Sequence, residues 1–173
     1  MRVVALLRGV NVGGHNRLRM ADLRAAVELL GHTDVSTYLQ SGNVVFNADV
    51  PPDFPIGESI GDCLFDAFGL RVAVLTRTAS ELASIMKFNP YDCEDPTKVV
   101  VAFVAGMAQT PNLDLAAFAP EGLTVHGREM YLNLPFGQGR SPLVAALTKV
   151  GGDQPSTARN WRTVLALAEM SAA

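Results

Sequence analysis

Residues 3–20 read VVALLRGVNVGGHNRLRM, and this stretch contains a strand, a glycine-rich loop and the start of a helix. Val3–Leu7 is an unbroken apolar run rich in branched residues, which predicts a strand. A loop rich in glycine and arginine follows from Arg8 to Arg19. Apolar residues then recur at helical spacing from Met20, and Gly31 stands just past the end of that pattern. This order fixes how the rest of the first half can fold.

Four further elements and a tight turn complete the first half of the chain. A strand, a tight turn, a returning strand, a helix and a last strand are predicted at residues 35–39, 40–43, 44–47, 56–68 and 71–76. Gly57 and Gly61 weaken the prediction of the helix in its first turn. The resulting order, β-α-β-β-α-β, is that of the ferredoxin-like split unit.

The second half of the chain repeats this order less clearly. Thr78 and Glu81 form a capping-box pattern that opens a connecting helix running to about Phe88. Strands are predicted at 98–104, 123–126 and 129–134, and helices at 113–118 and 141–149. No last strand is predicted. A C-terminal amphipathic helix around Trp161 takes its place and has Arg159, Asn160 and Arg162 in its first turn.

The chain is therefore predicted to be α+β, with two ferredoxin-like lobes packed together and an additional C-terminal helix. The first lobe comprises residues 1–77. Residues 78–173 hold the connecting helix, the second lobe and the C-terminal helix.

Topology brings two distant segments of the first lobe together. In a ferredoxin-like unit, the first strand, first helix and second strand form a right-handed crossover. The exit of the first strand and the turn between strands two and three then lie at the same end of the sheet. We therefore expect the Arg8–Arg19 loop beside the Gln40–Asn43 turn.

Composition limits the classes of function. The chain has 173 residues, of which 14 are basic and 17 acidic, so its net charge of −3 disfavours indiscriminate binding to nucleic acid. No apolar run approaches the roughly 20 residues of a membrane span. The N-terminal run is too short for a signal-peptide core, and we expect a cytoplasmic protein with Cys63 and Cys93 as free thiols. The histidines and cysteines show no metal-ligand spacing, so no metal is expected.

Three longer stretches resemble a known bacterial family. They are LLRGVNVGGHNRLRMADLR, TYLQSGNVVF and STARNWRTVLALAEM, and they resemble domain of unknown function 1697. The resemblance extends over the whole chain and implies two packed ferredoxin-like lobes. It implies no activity, because none is assigned to that family. Pro142 stands where the family more often has lysine, and Tyr91 where phenylalanine is usual.

The Arg8–Arg19 loop is the best candidate for a site. Glycines let backbone N–H groups turn toward one point, and arginine binds phosphate or carboxylate with a fork of parallel donors. The loop matches neither a Walker A nor a dinucleotide sequence, so no cofactor is expected. The candidate ligand-binding residues are Arg8, Asn11, Gly13, Gly14, Asn16, Arg17, Ser41, Asn43, Arg159 and Asn160. In the simpler interpretation, the glycines only make a turn, the asparagines cap it and the arginines are solvated.

Other side chains offer little chemistry. His15 is the one histidine in the candidate site, while His32 and His126 are expected at ordinary surface positions. No nucleophile and base are recognisable together, so catalytic residues, and whether the protein is an enzyme, stay open.

Three functions remain. The favoured one is a protein that binds a small anion, phosphate or nucleotide at the loop. The alternative is a protein-interaction module without catalysis. RNA binding is less favoured, because the first strand carries no aromatic residue and is apolar on both faces. The oligomeric state is left open.

Overall fold

The computed structural model describes residues 1–172 as an α+β protein. These residues form two four-stranded antiparallel sheets and five α-helices. The chain divides into two compact units, one formed by Met1–Ala83 with the chain from Leu167 onward, the other by Ser84–Ala166. No helix within residues 1–172 is both long and apolar enough to span a membrane.

The first unit contains four strands and two helices in the order β-α-β-β-α-β. They are β1 (Arg2–Leu7), α1 (Met20–Leu29), β2 (Thr33–Thr37), β3 (Asn43–Asn47), α2 (Ile56–Phe68) and β4 (Val74–Thr78). The strands lie in the order β2-β3-β1-β4, and all neighbours are antiparallel. The predicted elements thus exist, with ends shifted by up to three residues.

Strand β1 is the centre of the first unit. It pairs with β3 on one edge and with β4 on the other, so Val4 lies between Val45 and Arg77. Side chains on both faces of residues 3–7 are buried. An apolar run without alternation is what such a position requires, because neither face meets water.

Helix α2 packs unusually close to β4, and its glycines are the reason. A Cβ on Gly57 would overlap the carbonyl oxygen of Val74, and one on Gly61 would lie 3.3 Å from that of Val72. The two residues that weakened the helix prediction therefore permit its packing. The helix ends as predicted at Gly69, which has a left-handed φ of 69°.

His32 is buried, which corrects the prediction of a surface position. Its side chain is 4% exposed, stacks on Phe46 with ring centroids 4.7 Å apart, and leaves Nε2 without a hydrogen bond within residues 1–172. Burial lowers the pKa of His32 below its ordinary value. The position of His32 just after a helix does not reveal that it packs against an aromatic ring from β3.

The second unit has its own antiparallel sheet. Its elements are β5 (Val99–Val104), β6 (Gly122–His126), β7 (Glu129–Asn133), α4 (Pro142–Val150) and β8 (Ser156–Asn160), with short 3-10 helices at Leu115–Phe118 and Gln138–Arg140. The strand order is β6-β7-β5-β8. Helices α3 (Ala79–Phe88) and α5 (Trp161–Ala172) each contain a boundary between the units.

The prediction that the second half lacks a last strand is wrong. Strand β8 pairs with β5, and Arg159 lies opposite Val101. Arg159 and Asn160 therefore belong to a strand and not to the first turn of α5. The strand escaped recognition because its inward residues, Thr157 and Arg159, are polar although buried, so no alternation of apolar residues marks it.

The last strands of the two sheets, β4 and β8, end in the same way. Arg77 donates from Nη1 to the Thr76 carbonyl oxygen, and Arg159 donates from Nη1 to that of Ala158, both at 2.8 Å. The next residue caps the following helix: the Glu81 N–H donates to Thr78 Oγ1 at 3.2 Å. Asn160 does the same for α5, accepting from the Thr163 N–H at 2.9 Å. The predicted capping box is present, since Glu81 also accepts from the Thr78 N–H.

Gly57→Ala should destabilise the protein although alanine favours helices. The added methyl group forces α2 away from β4, and overpacking of this kind costs roughly 1–3 kcal/mol. Gly61→Ala is the matched control, because its methyl group would make a tight contact without the overlap expected at Gly57. Urea unfolding should show a clear loss for Gly57→Ala and a small change for Gly61→Ala. Equal stabilities of the two variants would contradict the close packing.

Stability should depend on pH through His32. Its lowered pKa means that the unfolded chain binds the proton more readily, so stability is fully present above the unfolded pKa of about 6.5. The contribution of His32 to stability is lost as the pH falls toward the pKa of His32 in the folded protein. His32→Leu should therefore lose less unfolding free energy between pH 7 and pH 5 than the native protein. An identical pH dependence of the two proteins would exclude this role.

Candidate functional site

The Arg8–Arg19 loop folds into a small β-hairpin, which we call the basic hairpin (residues 8–19). The Asn11 N–H donates to the Asn16 carbonyl oxygen at 3.2 Å, and the His15 N–H donates to that of Val12 at 3.1 Å. Gly13 and Gly14 form its tip with φ of 59° and 78°. Two consecutive positive φ values are typical of the tight turn that matches strand twist, which explains the glycine pair.

The base of the basic hairpin is anchored in the core and its tip is exposed. Val10 and Leu18 are buried at its two ends. Every residue from Val12 to Arg17 is exposed. The hairpin is therefore a projection with a fixed base.

Asn11 joins the basic hairpin to the Gln40–Asn43 turn. Its side-chain Oδ1 accepts from the Leu18 N–H at 2.9 Å. Its Nδ2 donates to the carbonyl oxygens of Leu18 at 2.8 Å and Gln40 at 2.7 Å. The loop and the turn thus lie side by side, as topology predicts. Because both amide hydrogens of Asn11 are used within the protein, this residue positions the site rather than donating to a ligand.

The turn is held against the exit of β1 by two residues. Gly42 has a φ of 78°, and a Cβ there would lie 2.7 Å from that of Leu7. The Leu7 N–H also donates to the Gly42 carbonyl oxygen at 2.8 Å. Asn43 is fully buried and donates to the Tyr38 carbonyl oxygen and to Ser41 Oγ, at 2.8 and 3.1 Å. Asn43 and Ser41 therefore stabilise the turn.

The arginines of the basic hairpin differ in availability. Arg19, although its side chain is 83% exposed, forms a bidentate pair with Asp22 at 2.7 Å, and this hydrogen bond lowers the pKa of Asp22. Arg8 and Arg17 are exposed, and within residues 1–172 their side chains form neither ion pairs nor hydrogen bonds. Residues 8–19 contain no carboxylate. Two guanidinium groups of the hairpin are thus available to an anion.

The other predicted site residues have different positions. Asn16 lies in the basic hairpin and donates to the Gly9 carbonyl oxygen at 3.2 Å. Arg159 and Asn160 belong to the second unit. Burial lowers the pKa of Arg159 to about 10, so it stays charged at neutral pH. Hydrogen bonds from Thr97 are the first cause of the lowered pKa of Asp95, and the positive charge of nearby Arg162 also contributes.

Nucleophilic and metal chemistry have little support in the described residues. Burial is the first cause of a raised pKa for both Cys63 and Cys93, which keeps the thiols protonated. No group of three or more His, Cys, Asp or Glu residues within 1–172 has the geometry to hold a metal. The Tyr131 hydroxyl, buried and donating to the Ile85 carbonyl oxygen at 3.0 Å, has a raised pKa.

A groove of about 640 Å³ lies elsewhere in the first unit, between the end of α1 and α2. Leu29, Leu30, Glu58, Asp62 and Cys63 are among its lining residues. None of the predicted site residues lines it. Sequence reasoning identified the helices but not the groove, because two helix ends far apart in the chain form it.

A family model for "Protein of unknown function (DUF1697)" matches residues 1–131, which include the basic hairpin and the turn. The chain belongs to the DUF1697 family. This membership agrees with the predicted resemblance. The family description assigns no function. No curated protein matches the chain.

A solved structure has the same fold as this DUF1697 chain. It is described as the structure of conserved bacterial protein SP0830 from Streptococcus pneumoniae. The two chains are 20% identical, the superposition covers 99% of this chain and 98% of the other, and the TM-score is 0.76. At this identity the likeness shows the fold alone.

Asn11→Ala should loosen the basic hairpin from the turn. It removes three hydrogen bonds at a residue with a φ of 55°, which alanine adopts less readily than asparagine. We expect a loss of about 1–3 kcal/mol in unfolding free energy and faster exchange of the Leu18 amide hydrogen. Asn16→Ala is the matched control, since it has a similar φ of 48° but a single long bond. Equal effects of the two substitutions would contradict the role of Asn11.

Proposed function

We propose that this protein binds an anionic group, a phosphate or a carboxylate, with Arg8 and Arg17 of the basic hairpin. The observation that carries the proposal is that both guanidinium groups are exposed and unpaired within residues 1–172, in a segment without carboxylates. The proposal concerns binding and includes no reaction.

Charge distribution favours this site over the rest of the surface. The chain has a net charge of −3, yet residues 8–19 contain three arginines and no acid. Asp22 neutralises only Arg19. Arginine is well suited to hold an oxyanion, because its planar fork supplies two parallel N–H donors.

The support beneath these arginines is fixed. Val10 and Leu18 anchor the hairpin in the core, and Asn11 links it to Gln40. A fixed support lowers the entropy lost when a ligand orders the loop. Asn11, Asn16, Ser41 and Asn43 thus form the support, while Arg8, Gly13, Gly14 and Arg17 are exposed.

A second part of the proposal concerns the type of fold and the location of the protein in the cell. We propose that the chain comprises two ferredoxin-like lobes, residues 1–77 and, with the connecting and C-terminal helices, residues 78–173, and that the protein acts in the cytoplasm. The strand orders β2-β3-β1-β4 and β6-β7-β5-β8 support the first point. Arg159 and Asn160 are retained as further candidates, although both contribute to the local structure of β8 and α5.

Calorimetry with inorganic phosphate and sulfate tests the proposal. Arg8→Ala combined with Arg17→Ala should weaken binding about tenfold or more, because a charge-assisted hydrogen bond contributes roughly 1.5–3 kcal/mol and these groups are exposed. Arg162→Ala, which removes another exposed arginine outside the hairpin, is the matched control and should leave affinity unchanged. Added salt should weaken binding to the native protein. No binding of either anion, or equal binding by the double variant, would refute the proposal.

A further inference from the structure

We infer that the anionic group belongs to an acidic segment of a partner protein, and that an apolar side chain of this segment packs against Val12 and Leu39. This inference rests on the proposed function and names the class of partner that the same site binds. Its basis is a pair of exposed apolar residues, one in the segment that carries the unpaired arginines and one beside the turn to which that segment is joined.

Val12 and Leu39 form the apolar part of this surface. Val12 is 62% exposed at the hairpin, and Leu39 is 56% exposed beside the turn. They are the neighbours in sequence of Asn11 and Gln40, which are joined by the 2.7 Å hydrogen bond. One exposed apolar residue needs no explanation. Two on hydrogen-bonded segments, one of which also carries the unpaired Arg8 and Arg17, have the mixed composition typical of an interface.

Leu39 is also held in an unfavourable backbone conformation. Its φ is 57°, in the left-handed region that glycine or asparagine adopts at less cost than leucine. Burial offsets only part of that cost, because Leu39 is 56% exposed. Strain retained at an exposed leucine favours a role in binding over a role in folding.

The shape of the surface favours a macromolecule. Residues 12–17 are all exposed, so the basic hairpin projects and encloses nothing. Small-molecule sites are concave and bury most of their ligand, which a projecting hairpin does not do. A partner protein can supply the concave side of the contact itself.

The residues present favour a protein over a nucleic acid. Single-stranded nucleic acids bind through stacking of bases on aromatic side chains. Residues 8–19 contain no phenylalanine, tyrosine or tryptophan and only one ring, that of His15, and Tyr38, just before Leu39, is half-buried. The side-chain amides of Asn11 and Asn43, which could read a base, are used within the protein. Val12, Leu39, Arg8 and Arg17 are exposed, and this aliphatic and cationic set matches an acidic peptide containing leucine.

Two labelled peptides test this inference by fluorescence polarisation. They have the sequences Glu-Glu-Leu-Glu-Glu and Glu-Glu-Ser-Glu-Glu, and a short oligothymidylate serves as the nucleic-acid probe. The leucine peptide should bind the native protein about tenfold more tightly than the serine peptide, because burial of one leucine side chain gives a difference of that size. It should also bind more tightly than the oligothymidylate.

Variants of the apolar residues separate binding from folding. Val12→Ser and Leu39→Asn should each reduce the preference for the leucine peptide at least threefold. Leu39→Asn should also melt at the same temperature as the native protein or higher, because asparagine tolerates the left-handed φ. A residue with a purely structural role would not combine weaker binding with unchanged stability. Met107→Ser, which alters another exposed apolar residue in the second unit, is the matched control and should retain the preference.

The outcomes distinguish this inference from the proposed function. Equal affinity for the two peptides, with sulfate still bound through Arg8 and Arg17, would overturn the inference and leave the proposed function intact. Tighter binding of oligothymidylate than of the leucine peptide would also overturn it, in favour of a nucleic-acid partner. Failure of both peptides and of sulfate to bind would overturn both.

Discussion

The structure of the first unit depends on the burial of β1 on both of its faces. Val3–Leu7 can lie between β3 and β4 only because every side chain in the run is apolar. The loop that follows a central strand must leave at the end of the sheet. The turn between the antiparallel strands β2 and β3 lies at that same end. The basic hairpin and the turn therefore meet through the position of β1, although Asn11 and Gln40 are 29 residues apart in the chain.

Polar side chains then convert this proximity into a fixed arrangement. Asn11 uses its whole amide to hold Leu18 and Gln40, and Asn43 is buried within the turn. A buried amide such as that of Asn43 is costly unless satisfied, so its hydrogen bonds specify one arrangement of the turn. The consequence is a division of roles: the asparagines hold the backbone, and Arg8 and Arg17 stay exposed, as the proposed anion binding requires.

Local patterns predicted most of the fold, and non-local contacts account for the errors. The helices α1 and α2 and the capping box at Thr78 depend on short-range spacing and were predicted. Strand β8 was missed because its inward positions are the polar Thr157 and Arg159, whose burial depends on pairing with β5. The hairpin loop was predicted as a candidate site, but the internal role of Asn11 was not, because its partner lies in another segment. The left-handed φ of Leu39 likewise has no signal in the sequence.

The central claim is that the basic hairpin binds an anion while the turn holds it in place. A titration of isotopically labelled protein with sulfate, followed by backbone amide NMR, tests it most directly. The account predicts that the largest shift changes fall on the amides of residues 8–19 and 40–43, with a single affinity for both segments. Changes centred on β8, or on the groove between α1 and α2, with residues 8–19 unaffected, would contradict it.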